Sequence, residues 1–342
     1  MRNKLGDRLQ ATGYKIAIIA FAFLFHFPLF VSAQRKLSER AQVSLLTCTP
    51  GKALYERYGH TSIRVKDPLA GLDIVFNYGC FSFDTEHFYY KFVKGETYYM
   101  LDVEDTRSFL TGYQMERRPV YEQVLNMTYA QQQELFDKLV INTLPDHRYY
   151  LYNFVFDNCA TRPYYLIKEV MGDTLISDYD GWTGEPFRKF IRTYTGKGSW
   201  EDFGINMVFG KRADENMTSE QRLFLPEELM KYLSQAKTSD GIPVVRNEHI
   251  GPFPAYIVPW YSSAFFGILL FAVLMIFINI LDWHRGKWSW GVDLALGIIY
   301  LLLFGLIIFL TYFSIHPLVG WNWRVFLFPL IHLCSRLIYI LR

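Results

Sequence analysis

With 342 residues, 51% of them hydrophobic and 18% aromatic against only 20% charged, the chain is too apolar for an ordinary soluble domain and has none of the signature of disorder. Its 35 basic and 33 acidic residues leave a net charge of +2 spread along the chain, which excludes a basic nucleic-acid-binding domain. The apolar excess lies mainly at the two ends and leaves a long, mixed middle, the outline of an exported, membrane-tethered protein.

At the N-terminus, Arg2, Lys4, Arg8 and Lys15 precede an apolar run from Ile16 to Val31, and Val31-Ser32-Ala33 resembles a small-residue cleavage site before Gln34. Residues 1–33 read as a secretory signal or, if uncleaved, as an N-terminal anchor; the run is shorter than the ~20 residues a spanning helix needs. Either reading exports the segment that follows, taken as a domain over 34–259.

Within it, Val43–Leu46, His60–Val65, Asp73–Tyr78 and Phe88–Val93 read as strands separated by the turn signals Thr49-Pro50-Gly51, Asp67-Pro68-Leu69-Ala70-Gly71 and Gly95. After Met127 the pattern becomes helical, with Thr128 as N-cap, Leu135, Leu139 and Val140 at helical spacing, and a stop at Leu144-Pro145. Strands followed by helices predict an α+β domain.

In Asp157-Asn158-Cys159-Ala160-Thr161-Arg162-Pro163, Asn158 suits an N-cap and Cys159 the first helical position, with Tyr165, Ile167 and Val170 continuing the helix. A helix N-terminus favours a thiolate, and its unbonded N–H groups suit an oxyanion. A buried structural cysteine, or half a disulfide, is the competing reading. Because Cys48, Cys80 and Cys159 all fall in the exported part, they cannot all pair internally, and at least one thiol should stay free.

A thiol nucleophile needs a base. His147 lies in a turn, His249 near the Pro-rich approach to the membrane, and His87 beside Phe88 and Tyr89. His60 follows Gly59, opens a strand, and shares its polar face with Ser62 and Arg64. Across the following hairpin Asn77 falls opposite His60 to Ser62, within reach of the imidazole, with Asp73 and Tyr78 as alternatives for the orienting group. Zinc-ligand spacing, a calcium loop and a phosphate-binding loop are not found in the sequence, and the thiol chemistry calls for no cofactor.

Tyr261–Leu281, Val292–Phe313 and a less pure Val325–Leu341 read as membrane helices, making 260–342 a transmembrane helical region. The loop Asp282 to Trp288 carries Arg285 and Lys287, which places it in the cytoplasm. The third segment holds Pro329, His332, Cys334 and Arg336 and stops at Arg342, so the membrane part is expected to be incomplete.

Taken together, Leu45-Leu46-Thr47-Cys48-Thr49-Pro50-Gly51, Tyr58-Gly59-His60-Thr61-Ser62-Ile63-Arg64-Val65, Phe76-Asn77-Tyr78-Gly79 and Asp157 to Arg162 resemble the Bacteroides-type lipoprotein N-acyltransferase family, Lnb. Ser314-Ile315-His316-Pro317 and Trp321-Asn322-Trp323 extend the likeness into the membrane part. The order of histidine before cysteine also resembles circularly permuted papain-like (NlpC/P60-like) thiol enzymes. The resemblance implies an inner-membrane, multi-pass protein with a periplasmic catalytic domain, moving an acyl chain from a phospholipid to the amino group of a diacylated lipoprotein. It implies Cys159 as nucleophile and His60 as base; Asn77, Arg64 and Arg162 match motif positions. Asn77 is read as the orienting residue, and Arg64, Arg162 and Asn158 as substrate-binding, the arginines through the phosphate head group or as structural ion-pair partners. A cysteine peptidase or amidase acting on cell-wall peptide, and a non-catalytic envelope scaffold, are the competing functions.

Overall fold

Between Gln42 and Leu125 short runs rich in Val, Ile, Leu, Phe and Tyr build the strands of a sheet covered on both faces. The computed structural model describes residues 35–172, 175–177, 184–287 and 289–323; the expected signal, the third membrane segment and Cys334 lie outside these residues. The sheet is antiparallel, with strands β1 (Gln42–Cys48), β2 (His60–Asp67), β3 (Leu72–Cys80), β4 (Tyr98–Asp105), β5 (Val120–Leu125), β6 (Tyr149–Leu151) and β9 (Val245–His249) in the order β6-β4-β3-β2-β1-β5-β9. A separate small pair joins β7 (Leu175–Ile176) to β8 (Lys237–Thr238).

Leu45, Ile63, Val65, Phe76 and Tyr78 form the inner face and are buried. Against them pack Leu135, Phe136 and Leu139 of the helix Tyr129–Asn142 and Ile167 of the helix Thr161–Met171, with the Phe76 and Phe136 rings edge to face at 6.2 Å. Leu46, Cys48 and Val75 point the other way, under Phe109 and Tyr113 of the helix Thr106–Met115. The β2–β3 turn forms as its residues dictate: the Asp67 carboxylate accepts from the N–H groups of Leu69 and Ala70, and Gly71 takes a φ of +61°.

In chain order the helices used below are α1 (Phe88–Lys94), α2 (Thr106–Met115), α3 (Tyr129–Asn142), α4 (Thr161–Met171), α5 (Phe187–Thr195), α6 (Trp200–Val208), α7 (Pro226–Gln235), α8 (Ala264–Arg285) and α9 (Trp290–Phe313). Helix α3 opens with Thr128 accepting from the Gln131 N–H in a capping box. The expected strand at Phe88–Val93 is instead helix α1. Its aromatic composition favours strand, but left-handed His87 opens the turn and Gly95, at φ +81°, closes it by donating to the carbonyls of Lys91 and Phe92.

A second apolar cluster gathers Phe187, Phe190 and Ile191 of α5 with Phe209, Phe224 and Leu225. Leu318, from the stretch after α9, is buried in the same cluster. Helices α8 and α9 are apolar and long enough to cross a bilayer, and only 6% and 11% of their most hydrophobic stretches are buried within the chain. Both are moored to the domain at the same end. At the start of α8 the Ala264 N–H donates to the Gly198 carbonyl, and a side chain at Gly267 would collide with the Trp200 ring. After α9, the N–H groups of Ile315, Gly210 and Lys211 donate to the carbonyls of Lys94, Leu318 and Trp321. The α8–α9 turn at Gly286 lies at the opposite end of the pair.

Candidate active site

His60 stands at the first residue of β2, where Gly59 turns the chain with a φ of +76°; a Cβ there would lie 2.6 Å from the Cys48 carbonyl, so the approach to β1 requires glycine. The β2–β3 register sets Ile63 against Phe76, which puts Asn77 on the face of His60. The amide oxygen of Asn77 lies 2.5 Å from His60 Nε2. The Asn77 NH₂ donates to the Glu104 carboxylate at 3.2 Å, and this fixes which end of the amide meets the ring. Nε2–H therefore donates to Asn77, leaving Nδ1 for the thiol.

Cys159 arrives from the other face. Asn158 caps the approach to helix α4 as the sequence predicts: its side-chain oxygen accepts from the N–H groups of Ala160 and Thr161 and its carbonyl from the Arg162 N–H, with the regular helix running from Thr161. Of the N–H groups at this helix start, Asn158 takes those of Ala160 and Thr161 and leaves that of Cys159 beside the sulfur. Asn158, expected to bind substrate, is 2% exposed, and its NH₂ donates to the carbonyls of Phe154 and Phe224, so its side chain is engaged in holding the loop before α4.

Between histidine and thiol runs Gly79, at a bulge of β3 with φ +93°. A Cβ there would sit 3.3 Å from Cys159 Cβ and 3.7 Å from His60 Cε1, so glycine keeps open the gap through which the two side chains meet. The Cys159 side chain is hydrogen-bonded to His60, and the N–H groups of Thr61 and Cys159 point at the same sulfur.

The electrostatics single out this thiol. Cys48, Cys80 and Cys159 are all free. Burial drives the Cys48 thiol far up and Cys80 up to about 12, the latter reinforced by Asp102 and Glu104. Burial also opposes ionisation of Cys159, but His60, by charge and by hydrogen bond, and the Thr61 and Cys159 N–H groups outweigh it and bring the thiol below its ordinary value. For His60 burial acts downward, and the Cys159 thiolate and the Asn77 oxygen carry the ring above its ordinary value. The pair favours thiolate and imidazolium.

Arg64 and Arg162 both stand in ion pairs. Arg64 forks onto Asp73 at 2.7 and 2.6 Å and holds both oxygens of Glu122 at 3.1 Å, so its charge is met by two carboxylates. The same pair removes Asp73 as an alternative partner for His60, while the Tyr78 hydroxyl accepts from Asn142. Arg162 forks onto Asp157 at 2.5 and 2.8 Å and lies 3.5 Å over the Tyr150 ring. It serves the site by bracing that tyrosine.

Tyr150 and Glu104 are the residues that sequence reasoning missed. Tyr150 is 6% exposed and its hydroxyl is a buried polar atom with no hydrogen-bond partner, 4.0 Å from the Cβ position at Gly79 that also abuts Cys159. A buried orphan hydroxyl costs about 1–3 kcal/mol unless something meets it. No local signal marks either residue; both enter through strands that pair at long range. If Asn77 aligns the imidazole, Asn77→Ala should lower turnover about 10- to 100-fold, less than the ~10²–10⁴ a positioned base contributes, with the thiol still reactive. Unchanged turnover would remove Asn77 from the site.

A family model described as the Lnb N-terminal periplasmic domain matches residues 31–195, and one described as the Lnb transmembrane domain matches residues 259–342. No curated protein and no solved structure matches the chain.

Proposed function

The chain belongs to the Lnb family, as a membrane protein with a periplasmic domain, and from that premise we propose that it is a lipoprotein N-acyltransferase, moving an acyl chain from a phospholipid through a Cys159 thioester to the amino group of a diacylated lipoprotein. Family membership supports a role in lipoprotein maturation. The observation that carries the chemistry is that, among the described cysteines, only Cys159 has a lowered thiol, facing an imidazole that Asn77 and Glu104 hold in one orientation. The histidine-bearing strand upstream of the cysteine-bearing helix supports kinship with permuted papain-like enzymes.

In the first step the Cys159 thiolate attacks the ester carbonyl of the phospholipid, the C–O bond breaks, and His60 delivers its proton to the departing lysophospholipid oxygen. In the second the lipoprotein amine attacks the thioester carbonyl, His60 takes the amine proton, and the thiolate leaves. Each step passes through an oxyanion. The Tyr150 hydroxyl, without a partner and beside the thiol, is the donor best placed to meet it, together with the Cys159 N–H. Tyr150→Phe keeps the ring under Arg162 and should cost about 10- to 100-fold in turnover with little change in stability, somewhat less than the ~10²–10³ for a main oxyanion donor. Full activity in that variant would return the role to backbone donors alone.

We place the protein in the inner membrane, with residues 34–259 in the periplasm. The mooring of α8 and α9 to the domain at one end supports this, since the Gly286 turn then lies about 33 Å away across the bilayer, beside Arg285 and Lys287. A reporter at residue 286 should be cytoplasmic and one at residue 200 periplasmic; both on one side would overturn the arrangement. The function itself is tested by the intact mass of a co-expressed lipoprotein. A third acyl chain that depends on Cys159 is expected, and a lipoprotein left diacylated, or cell-wall peptide cleaved instead, would overturn the reading.

A further inference from the structure

A run of aromatic rings leads from the neighbourhood of the thiol to helix α1 and the stretch after α9. Tyr99 pairs across the sheet with Tyr150, whose hydroxyl lies 4.0 Å from the Gly79 Cβ position that abuts Cys159, and its ring stacks on Tyr152 at 4.0 Å and meets Phe81 at 4.9 Å. Phe81 touches Phe83 at 5.0 Å, Phe88 at 5.6 Å and Tyr55 at 5.8 Å. Phe88 opens α1, and along that helix Phe92 stacks on it at 6.0 Å and meets His316 at the same distance. His316 Nε2 lies 2.7 Å from the Phe92 carbonyl, and Tyr90 faces Phe309 of α9 at 6.3 Å.

Phe309 lies one helical turn inside the end of α9, so Tyr90 reaches about 6 Å into the span from the domain side. Trp260, Tyr261, Trp321 and Trp323 are exposed at the same end of the helix pair, the residue types that settle at a membrane–water interface. Helix α1 therefore lies at the bilayer surface. Its Tyr89 is 75% exposed and the neighbouring Phe83 53%, an apolar outlay that solvent would not reward but an acyl chain would.

We propose that this aromatic ribbon, from Phe92 through Phe88, Phe83 and Phe81 to Tyr99, with Tyr90 beside it on α1, is an acyl-chain seat that draws one chain of a membrane phospholipid from beside α9 to Cys159. The inference rests on the acyltransferase reading for its purpose, but the seat is a binding site that exists without the chemistry. An extended chain along rings spaced 5–6 Å apart is held by dispersion contact and burial alone, which suits a substrate that must later slide away as a thioester.

The test uses the full chain with Cys159→Ala, reconstituted in phosphatidylethanolamine and phosphatidylglycerol vesicles doped with a phospholipid whose acyl chain carries a diazirine. After irradiation, peptide mass mapping should find the label on Phe81 and Tyr99 as well as on α1. Phe83→Ser, at an exposed position that leaves the fold intact, should lower the Phe81 and Tyr99 label about tenfold, and Phe83→Leu should restore it. Label confined to Tyr89, Tyr90 and the membrane helices would make α1 an anchor only and overturn the seat, even if the wild-type chain still forms an acyl thioester. Label on Phe81 and Tyr99 in a protein whose wild type forms no thioester would uphold the seat and overturn the acyltransferase reading.

Discussion

Given phospholipid alone, the wild-type chain should gain one acyl mass that hydroxylamine removes, and Cys159→Ala should gain none. The expectation follows from the contrast among three thiols in one domain. Burial leaves Cys48 and Cys80 protonated at any physiological pH, whereas His60 and two backbone N–H groups reverse the effect of burial at Cys159. Removing the nucleophile of a covalent route leaves only what binding and the oxyanion donors supply, so transfer should fall by ~10³ or more. Cys48→Ala and Cys80→Ala should keep the adduct, with Cys48→Ala less stable because that side chain packs in full burial against Leu46 and Phe109. An acylated species that persists in Cys159→Ala would place the nucleophile elsewhere.

The sheet's centre was legible because its signals are local. Turn residues bound β1 to β3, and Asp67 and Gly71 shape the hairpin that sets Asn77 on the face of His60, so register follows from turn chemistry. The edges were not. Strand β9 pairs with β5 across more than a hundred residues, and β6 is three residues long; neither pairing has a local trace. Helix α1 shows the opposite failure, where a strand-like composition lost to a left-handed residue at each end and to docking beside α9.

The same division runs through the site. Cys159, His60 and Asn77 belong to local patterns, a helix start and a hairpin, and the fold brings them together. Glu104 and Tyr150 reach it only through β4 and β6, so their contribution depends on long-range register. The arginines leave two roles open in the sequence for a related reason. A guanidinium on a polar face advertises a phosphate only while its counter-charge is unknown, and Arg64 meets Asp73 across the hairpin and Glu122 from a strand two places away. Arg162 finds Asp157 five residues back, where the loop before α4 folds onto the helix.

His60→Ala should shift the pH at which Cys159 becomes reactive, and with it turnover by about 10²–10⁴-fold. In the wild type the thiol is lowered and the imidazole raised, so thiolate is already present below the ordinary thiol value of about 8.5, and the ring stays protonated above its ordinary 6.5. Alkylation of Cys159 by iodoacetamide, followed on its own peptide, should therefore remain fast as pH falls below 8.5 and slow only once the lowered thiol protonates. Acyl transfer should also fall on the alkaline side, as His60 loses the proton that the departing lysophospholipid needs. Taking the ring away removes the largest influence that opposes burial, so the midpoint of alkylation should move upward, past the ordinary thiol value, and the alkaline fall should vanish. Asn77→Ala should move the midpoint upward by less, since it loosens the ring without removing its charge. Coincident alkylation profiles for the wild type and His60→Ala would mean that Cys159 is activated by the backbone alone, and would take His60 out of the reaction.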